Sequence, residues 1–361
     1  LVGLEVVVTI TFANSYLCDS NLKILQIKIA VVILNWNGKN LLEKFLPSVV
    51  KYSDLATIYI VDNASLDDSV LFLQKNFPKV TIIKNCENFG YAKGYNLALK
   101  QVKEPYFVLL NSDVQVTQGW LDEALEIFEN EPKTAVLQPK ILDYKNKQYF
   151  EYAGAAGGFI DRYAFPFCRG RIFSTIEKDN NQYETTSEIF WASGACMFIR
   201  KNIFEQFGGF DQDFFAYQEE VDLSWRIQNQ GFKIKYLPKS KVYHIGGVTL
   251  GENSPQKTFL NFRNSLYTLL KNHPKKRLFF TFFIRMCLDG IAGIYFLLQG
   301  KPKHTFAVLK AHFFVYKNIR KTLKKRLNFH RKDYCQTESI VWNYYIKRKK
   351  IYIDLIKNKF K

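Results

Sequence analysis

The stretch I-A-V-V-I-L-N-W-N-G, residues 29–38, runs through six consecutive apolar residues and breaks at Asn35. A strand with one wet face alternates apolar and polar residues. A strand covered by helices on both faces is apolar throughout. The same logic extends outward. Residues 40–52 read as an amphipathic helix, Thr57–Val61 as a strand ending at Asp62, 67–76 as a helix and 80–84 as a strand. The loop N-C-E-N-F-G-Y-A-K-G then opens a helix to about 101, and strand 106–110 ends in Asn111-Ser112-Asp113 before helix 119–130. Four strand–helix units in succession predict an α/β fold with a parallel, doubly wound sheet. Ligands bind such sheets beyond the carboxyl ends of the strands, where these polar clusters fall.

Beyond 130 the pattern loosens. Residues 145–190 read as an irregular lid or insertion, followed by strand 191–199, helix 201–207, an acidic segment over 210–226 and strand 233–237. His244-Ile-Gly-Gly closes the catalytic body, assigned to 28–270. Residues 1–27 read as an N-terminal extension outside the core, because their apolar run lacks the basic start of a secretion signal.

Charge separates the tail from the body. The net charge is +18, yet residues 271–361 hold 23 Lys and Arg against 4 Asp and Glu, which leaves 1–270 near neutrality. Within the tail, 278–298 is apolar except for Arg285 and Asp289, four apart and able to pair on one helical face. Two mid-segment charges favour a helix lying on a membrane over one crossing it. Basic residues beside apolar ones suit an anionic membrane surface. On this reading 271–361 is a separable basic, amphipathic helical region whose deletion leaves a soluble enzyme. A neutral body without a helix-turn-helix or RNP-like signature argues against nucleic acid as a partner. Six dispersed cysteines, none in a C-x-x-C pair, argue against a disulfide framework.

The polar clusters each carry two readings. The turn after the first strand has one glycine where a dinucleotide dehydrogenase needs three, which removes the NAD reading. Asp62 is placed to accept the imide N–H of uracil or thymine, or to serve a turn. Asn63 and Ser65 suit a helix cap. The loop Asn88 to Asn96 offers the backbone amides of a helix start, with Lys93, to a donor phosphate, or its glycines serve a tight turn. Asp113 is a ligand for a hard cation or a loop residue. Glu219, Glu220 and Asp222 suit general-base chemistry through mutually raised pKa values, or form an acidic first helical turn. His244 is a metal ligand or a structural histidine.

The stretches V-V-I-L-N-W-N-G, V-D-N-A-S-L-D, E-N-F-G-Y-A-K-G-Y-N, L-L-N-S-D-V, W-A-S-G-A-C-M-F-I-R, Q-E-E-V-D-L-S-W-R and H-I-G-G-V-T occur in one order across about 31–250. Together they resemble glycosyltransferase family 2, the inverting transferases of the GT-A fold, particularly the rhamnosyltransferase-like and galactofuranosyltransferase-like bacterial branches. The resemblance implies a GT-A fold with a Rossmann-like, mostly parallel sheet, and a nucleotide-sugar donor of UDP or dTDP type. It implies a glycan or lipid-linked acceptor in cell-envelope polysaccharide synthesis, at the cytoplasmic face of the membrane. By position, Asn35, Asn37, Asp62 and Asn63 would hold the nucleoside, with Asn88, Gly90, Lys93 and Gly94 lining the donor pocket. Asp113 would stand at the last carboxylate of the D-x-D motif and ligate Mg²⁺ or Mn²⁺ with His244, beside Asn111. Trp191 and Gly194 would border the acceptor. Glu220 would be the general base, with Glu219 and Asp222 assisting in position or charge. Two positions depart from the family pattern: Asn111 replaces the first D-x-D carboxylate, and Glu220 replaces the usual Asp. A non-catalytic nucleotide-sugar-binding subunit and a nucleotidyltransferase are the competing readings.

Overall fold

The structure is a computed structural model that describes residues 28–246, 254–327 and 333–356. The extension 1–27 and the end of the H-I-G-G-V-T stretch lie outside the described residues. Strand β1 (Ile29–Asn35) lies between β2 (Ala56–Asp62) and β4 (Tyr106–Asn111), parallel to both, and β3 (Thr81–Lys84) extends the parallel half beyond β2. Helices α1 (Lys39–Lys51), α2 (Ser69–Asn76) and α3 (Gly90–Ala98) make the crossovers. Alternate β1 residues enter opposite cores: Ala30 and Val32 join one cluster, and Ile29, Val31 and Ile33 the other. This two-sided burial is why β1 carries no polar residue before Asn35.

The second half of the sheet is mixed. After β5 (Val114–Val116) and α4 (Asp122–Asn130) come β6 (Thr134–Asp143), β12 (Cys196–Arg200) and β13 (Lys233–His244). Strand β12 runs antiparallel to both β4 and β6, while β13 runs parallel to β6. Helix α4 starts later than its sequence pattern because Gly119, at φ +72°, turns the chain first. Strand β13 extends well past residue 237, through an irregularity between Leu237 and Lys241, and pairs His244 with Val114.

The segment read as irregular contains a small antiparallel sheet: β7 (Gly158–Ile160), β8 (Pro166–Cys168), β9 (Arg171–Ile172) and β10 (Thr175–Ile176). Strands of two or three residues are too short to leave a periodic trace, which is why they escape a sequence reading. The two-residue β11 (Ser187–Glu188) adds to the edge of the large sheet beside β13. Helices α5 (Lys201–Gln206) and α6 (Glu219–Asn229) follow β12.

No break in packing falls at 270. Helix α7 (Pro255–Asn272) runs through that position, and its Lys271 is buried against Asp211 and Asp222 at 2.7 and 2.8 Å rather than belonging to a surface basic cluster. Beyond α8 (Leu278–Leu298) and α9 (Pro302–Lys324), the short helices α10 (Ile340–Tyr345) and α11 (Tyr352–Ile356) return to the body. Tyr334, Ile340, Tyr344, Tyr352 and Leu355 are members of the main hydrophobic cluster. Asp161 ties the two together, accepting the Ile340 N–H at 2.9 Å.

Helix α8 is inside out by the standard of a soluble protein. Its buried residues are Thr281, Arg285, Asp289 and Gly293, one every four positions, and Phe279, Phe280, Phe283, Ile294 and Leu298 face outward. Arg285 donates to the carbonyls of Tyr163 and Ala164 and to Ser265 Oγ, and its Nε lies 3.9 Å from Asp289. Of the two charges that oppose insertion into lipid, Arg285 is therefore spent on the body, and Asp289 is shared between Arg285 and His312 of α9.

Candidate active site

At the carboxyl edge of the parallel strands, Asn35 and Asp62 are register neighbours. Both are buried, and Asn35 Oδ1 and Asp62 Oδ1 have no hydrogen-bond partner among the described residues. Two orphan acceptors side by side are costly unless a ligand donor meets them. Their other polar atoms are fixed by Ser65: its Oγ accepts from Asn35 Nδ2 and the Asn37 N–H, and its N–H donates to Asp62 Oδ2. Asn37, at φ +50°, uses its Oδ1 to accept the Leu66 N–H at 2.7 Å. Its side chain therefore shapes the turn.

The loop before α3 is organised by Asn63. Its amide donates to Asn88 Oδ1 and Gly90 O, and its Oδ1 accepts from Asn85 Nδ2 and the Phe89 N–H. This fully engaged, buried side chain holds the loop and is not free for a nucleoside. The helix-start amides are also taken. Gly90 N–H goes to Asn88 Oδ1, and those of Tyr91 and Ala92 go to Phe215 O. In this arrangement these three amides are engaged within the protein. Gly90 itself, at φ +70°, sits so close to Phe215 that a Cβ would come within 2.7 Å of the ring. Gly94 allows α3 to approach Leu34 and Asn63. Lys93 lies over the Phe89 ring, 3.7 Å from its centroid, and 3.7 Å from Glu87.

A second cluster forms where β4 and β13 end and β5 begins. The pairing of His244 with Val114 brings its Nε2 to 3.1 Å from Asp113 Oδ1 and 3.4 Å from Asn111 Nδ2. On the other side of the ring, Nδ1 lies 3.3 Å from Glu151 Oε1, and the Ala153 N–H holds Glu151 Oε2 at 2.5 Å. Burial opposes a charge on His244, but Glu151 and Asp113 outweigh it and lift the imidazole to about 10. Burial likewise raises the Asp113 carboxyl, and His244 reverses this to hold it below its ordinary value. Among the described residues no three His, Cys, Asp or Glu side chains form a complete metal cage. Asp113 and His244 are the two side chains here that could donate to a hard cation such as Mg²⁺ or Mn²⁺, with phosphate and water supplying the remaining oxygens, and His244 could do so only by giving up its Nε2 proton as the metal binds. A carboxylate against the far nitrogen of a ligating histidine is the usual way such a ring is oriented. Glu151 was not legible in sequence, since it sits in the short-stranded segment and meets His244 only through the fold.

The third group is the start of α6. Asn111 N–H donates to Ala195 O, and the neighbouring Gly194 O accepts the Tyr91 hydroxyl at 2.8 Å. Burial pushes the Tyr91 phenol well up, and the nearby Tyr95, Glu219 and Glu220 add to it. Tyr91 is thus bonded to the Gly194 carbonyl and lies within electrostatic reach of the carboxylate pair, a placement the sequence reading missed. Glu219 is buried and Glu220 partly buried, and the Oε2 atom of each has no hydrogen-bond partner among the described residues. Removal from water raises the Glu220 carboxyl to about 7. Burial, then the charge of Glu220, raises Glu219 well above its ordinary value. The first proton to leave the pair is therefore that of Glu220, near neutrality, while Glu219 holds its own, as close carboxylates in a dry site do.

Asp222 is different. It points away, to Arg226 Nε at 2.9 Å, Lys271 Nζ at 2.8 Å and Asn272 Nδ2 at 2.7 Å. Burial works against its charge, yet Lys271 and Arg226 keep the carboxyl below its usual value. It anchors α6 and touches no open space. Trp191 is also interior: its ring packs on Gly158 and its Nε1 donates to Phe159 O at 2.8 Å. Of the two residues expected at the acceptor border, only Gly194 contacts the active-site Tyr91.

The segment leading into α6 is strained. Phe215 has φ +65° and ψ −61°, and the Ala216 N–H donates to Phe214 O at 2.8 Å, a three-residue γ-turn of the rare hand. Tyr217 and Gln218 both follow at φ +70°. Such conformations in non-glycine residues cost about 1–3 kcal/mol each and persist where surrounding contacts enforce them.

The profile of glycosyl transferase family 2 matches residues 30–208. An N-acetylglucosaminyl-diphospho-decaprenol L-rhamnosyltransferase of Mycobacterium tuberculosis is 24% identical over 258 residues, 67% of this chain and 84% of its own length. Rhamnosyltransferase WbbL of Escherichia coli is 22% identical, with 59% of this chain and 82% of its own covered. Among solved structures, GalNAc-T7 with UDP, GalNAc and Mn²⁺ matches 89% of this chain and 56% of its own, with TM-score 0.56 and 16% identity. TarS of S. aureus in complex with UDP-GlcNAc matches 82% and 90%, with TM-score 0.51 and 15% identity. These two share the fold, a mixed α/β GT-A sheet dominated by parallel strands. Residues 30–208 of this chain thus carry the sequence pattern of a glycosyl transferase family 2 domain.

Proposed function

We propose that the chain is an inverting, metal-assisted glycosyltransferase. It moves a sugar from a nucleoside-diphosphate sugar of UDP or dTDP type to a glycan or lipid-linked acceptor. The observation that carries this reading is the surroundings of Tyr91: its hydroxyl donates to Gly194 O, next to the Ala195 carbonyl that takes the Asn111 N–H of the Asn111–Asp113–His244 cluster, and the charges of Glu219 and Glu220, each with an oxygen unpartnered among the described residues, reach its phenol. Asn35 and Asp62 offer their orphan oxygens to the nucleoside. Glu220 takes the proton of an acceptor hydroxyl, and the oxygen attacks the anomeric carbon as its bond to the diphosphate breaks, which inverts the centre. Glu219 keeps its proton and leaves Glu220 as the single base. Asp113 and His244 would hold the cation, which supplies neutralisation of the departing diphosphate.

The outward face of α8 supports a membrane surface as the working place. Phe279, Phe280, Phe283 and Leu298 project from it, Phe306, Leu309 and Phe313 project from α9, and Lys275, Lys276 and Lys303 flank them. An exposed apolar face of this extent beside basic residues suits the interface of an anionic bilayer. The cytoplasmic face follows from where nucleotide sugars and the charge bias of such segments meet. Relatives named for decaprenol-linked acceptors favour cell-envelope polysaccharide as the product.

A panel of nucleotide sugars, scored for nucleoside diphosphate release with and without Mn²⁺, tests the reading. Cation-dependent release supports it. Pyrophosphate as product makes the chain a nucleotidyltransferase, and binding without release to any acceptor makes it a non-catalytic subunit.

A further inference from the structure

The strained segment 214–218 is not held by its own neighbours but by helix α7, about fifty residues later. Asn264 is fully buried, and its Nδ2 donates to the carbonyls of Phe214 at 3.0 Å, Ala216 at 2.8 Å and Tyr217 at 2.8 Å. Arg263 fixes which way that amide faces: its Nε donates to Asn264 Oδ1 at 2.8 Å, and its Nη2 donates to the carbonyls of Asp213 and Phe214. The same segment is braced from outside. Lys325 Nζ meets Asp211 at 2.6 Å and Asp213 at 2.7 Å, and Lys321 Nζ meets Asp213 at 2.7 Å. On its far side Phe215 O takes the first amides of α3. The segment thus joins the donor loop to the first turn of α6, where Glu219 and Glu220 stand.

We propose that Arg263 and Asn264 are positioning residues for the transfer reaction, clamping the γ-turn at Phe215 so that Glu220 meets the acceptor hydroxyl in register with the donor. The C-terminal helices are then part of the catalytic machinery as well as the face turned to lipid. This rests on the reading of Glu220 as the base. Neither residue contacts Glu220, and both act through the backbone of 214–218. Strained backbone relaxes when its clamp is removed. A displacement of about 1 Å at a reacting group costs about 10²-fold in rate.

Three variants of the full chain decide it: Asn264→Asp, Arg263→Gln and Glu220→Gln. Asn264→Asp keeps the shape but replaces the donor by an acceptor facing three carbonyls. Arg263 is only partly buried, so Arg263→Gln spares the core if Asn264→Asp fails to fold. Affinity for UDP with Mn²⁺, measured by calorimetry, is expected to stay within about threefold of the parent, because Asn35, Asp62, Asp113 and His244 are untouched. Turnover is expected to fall about 10²-fold for Asn264→Asp and about 10-fold for Arg263→Gln. The pH at which turnover reaches half its maximum should shift, which a loss of general stability would not produce. If Glu220→Gln is inactive while Arg263→Gln turns over at the parental rate with an unmoved pH profile, the clamp is refuted and the base stands. If Glu220→Gln keeps parental turnover, the base assignment fails, and the clamp with it.

Discussion

The two walls of the proposed site, one for the donor and one for the base, are built by opposite means. The donor wall stands on β1, β2 and β4, three adjacent parallel strands within 29–111, and its turns are fixed by residues close in sequence: Ser65 for Asn35 and Asn37, Asn63 for the 85–90 loop. The base wall hangs on a strained segment held by Arg263, Asn264, Lys271, Lys321 and Lys325, some fifty to a hundred residues further along the chain. A wall made of strand ends is rigid because the sheet is. A wall made of a loop is only as rigid as the side chains that reach it. Damage to the C-terminal helices should therefore fall on the base wall and spare the donor wall.

The largest effect is expected from truncation after residue 270. It removes Lys271, which leaves the buried Asp222 with Arg226 alone among cations, and it strips Tyr334, Ile340, Tyr344, Tyr352 and Leu355 from the core. Each such buried side chain is worth about 1.5–3 kcal/mol, against a total stability of about 5–15 kcal/mol for a typical domain. The truncated chain should be insoluble or lack a cooperative thermal transition. A folded, soluble 1–270 fragment would restore the independent catalytic body that the charge distribution suggests.

Next in size is Glu220→Gln, which keeps volume and removes the base. Loss of about 10²–10⁴-fold in turnover is expected, with UDP affinity retained. The parent enzyme should also show the base in its pH dependence. Glu220 is protonated below about 7, and a protonated base cannot accept the acceptor proton. Turnover should rise with pH through about 7 and level above it, whereas an ordinary solvated carboxylate would place that limb near 4. A limb near 4 would mean that the carboxylate pair is wetter than its burial implies.

Glu151→Gln tests the metal side of the donor wall. It removes the charge opposite Nδ1 of His244 while leaving Asp113 and His244 in place. Loss of an outer carboxylate of this kind costs about 10–100-fold in metal affinity. Mn²⁺ binding followed by electron paramagnetic resonance should weaken to that extent, with turnover recovering at high Mn²⁺. Unchanged affinity would demote Glu151 to a packing residue.

The same contrast explains what could be read in the chain beforehand. The parallel half was legible because the continuous apolar run of β1 and the polar breaks at Asn35, Asp62 and Asn111 are local signatures. The pairing of His244 with Asp113 is implied by the motifs, but nothing local reveals Glu151, Tyr91 or Asn264, whose roles exist only across 93 to 103 residues of chain or through a strained turn. The way Asp222 assists, by anchoring its helix, was equally hidden, because its partners Lys271 and Asn272 lie on another helix. Charge was informative about the tail and misleading about its independence. Lysines 271, 321 and 325, which contribute to the basic count, are paired with acids of the body.

The smallest effect on chemistry, and the sharpest separation of the two uses of the C-terminal helices, is expected from the outward face of α8. Phe279 and Phe283 are 86% and 60% exposed and touch neither wall of the proposed site. Replacing both with Glu removes apolar contact and adds negative charge toward an anionic surface. Binding to vesicles rich in anionic lipid should fall by at least about tenfold, since each basic or apolar contact at such a surface contributes on the order of 1 kcal/mol. Turnover with a short water-soluble acceptor should stay at the parental value, because the inner stripe of α8, with Arg285 on Tyr163, Ala164 and Ser265, is untouched. If soluble turnover fell together with vesicle binding, the outer face would be coupled to the base segment, and the two roles of these helices would be one.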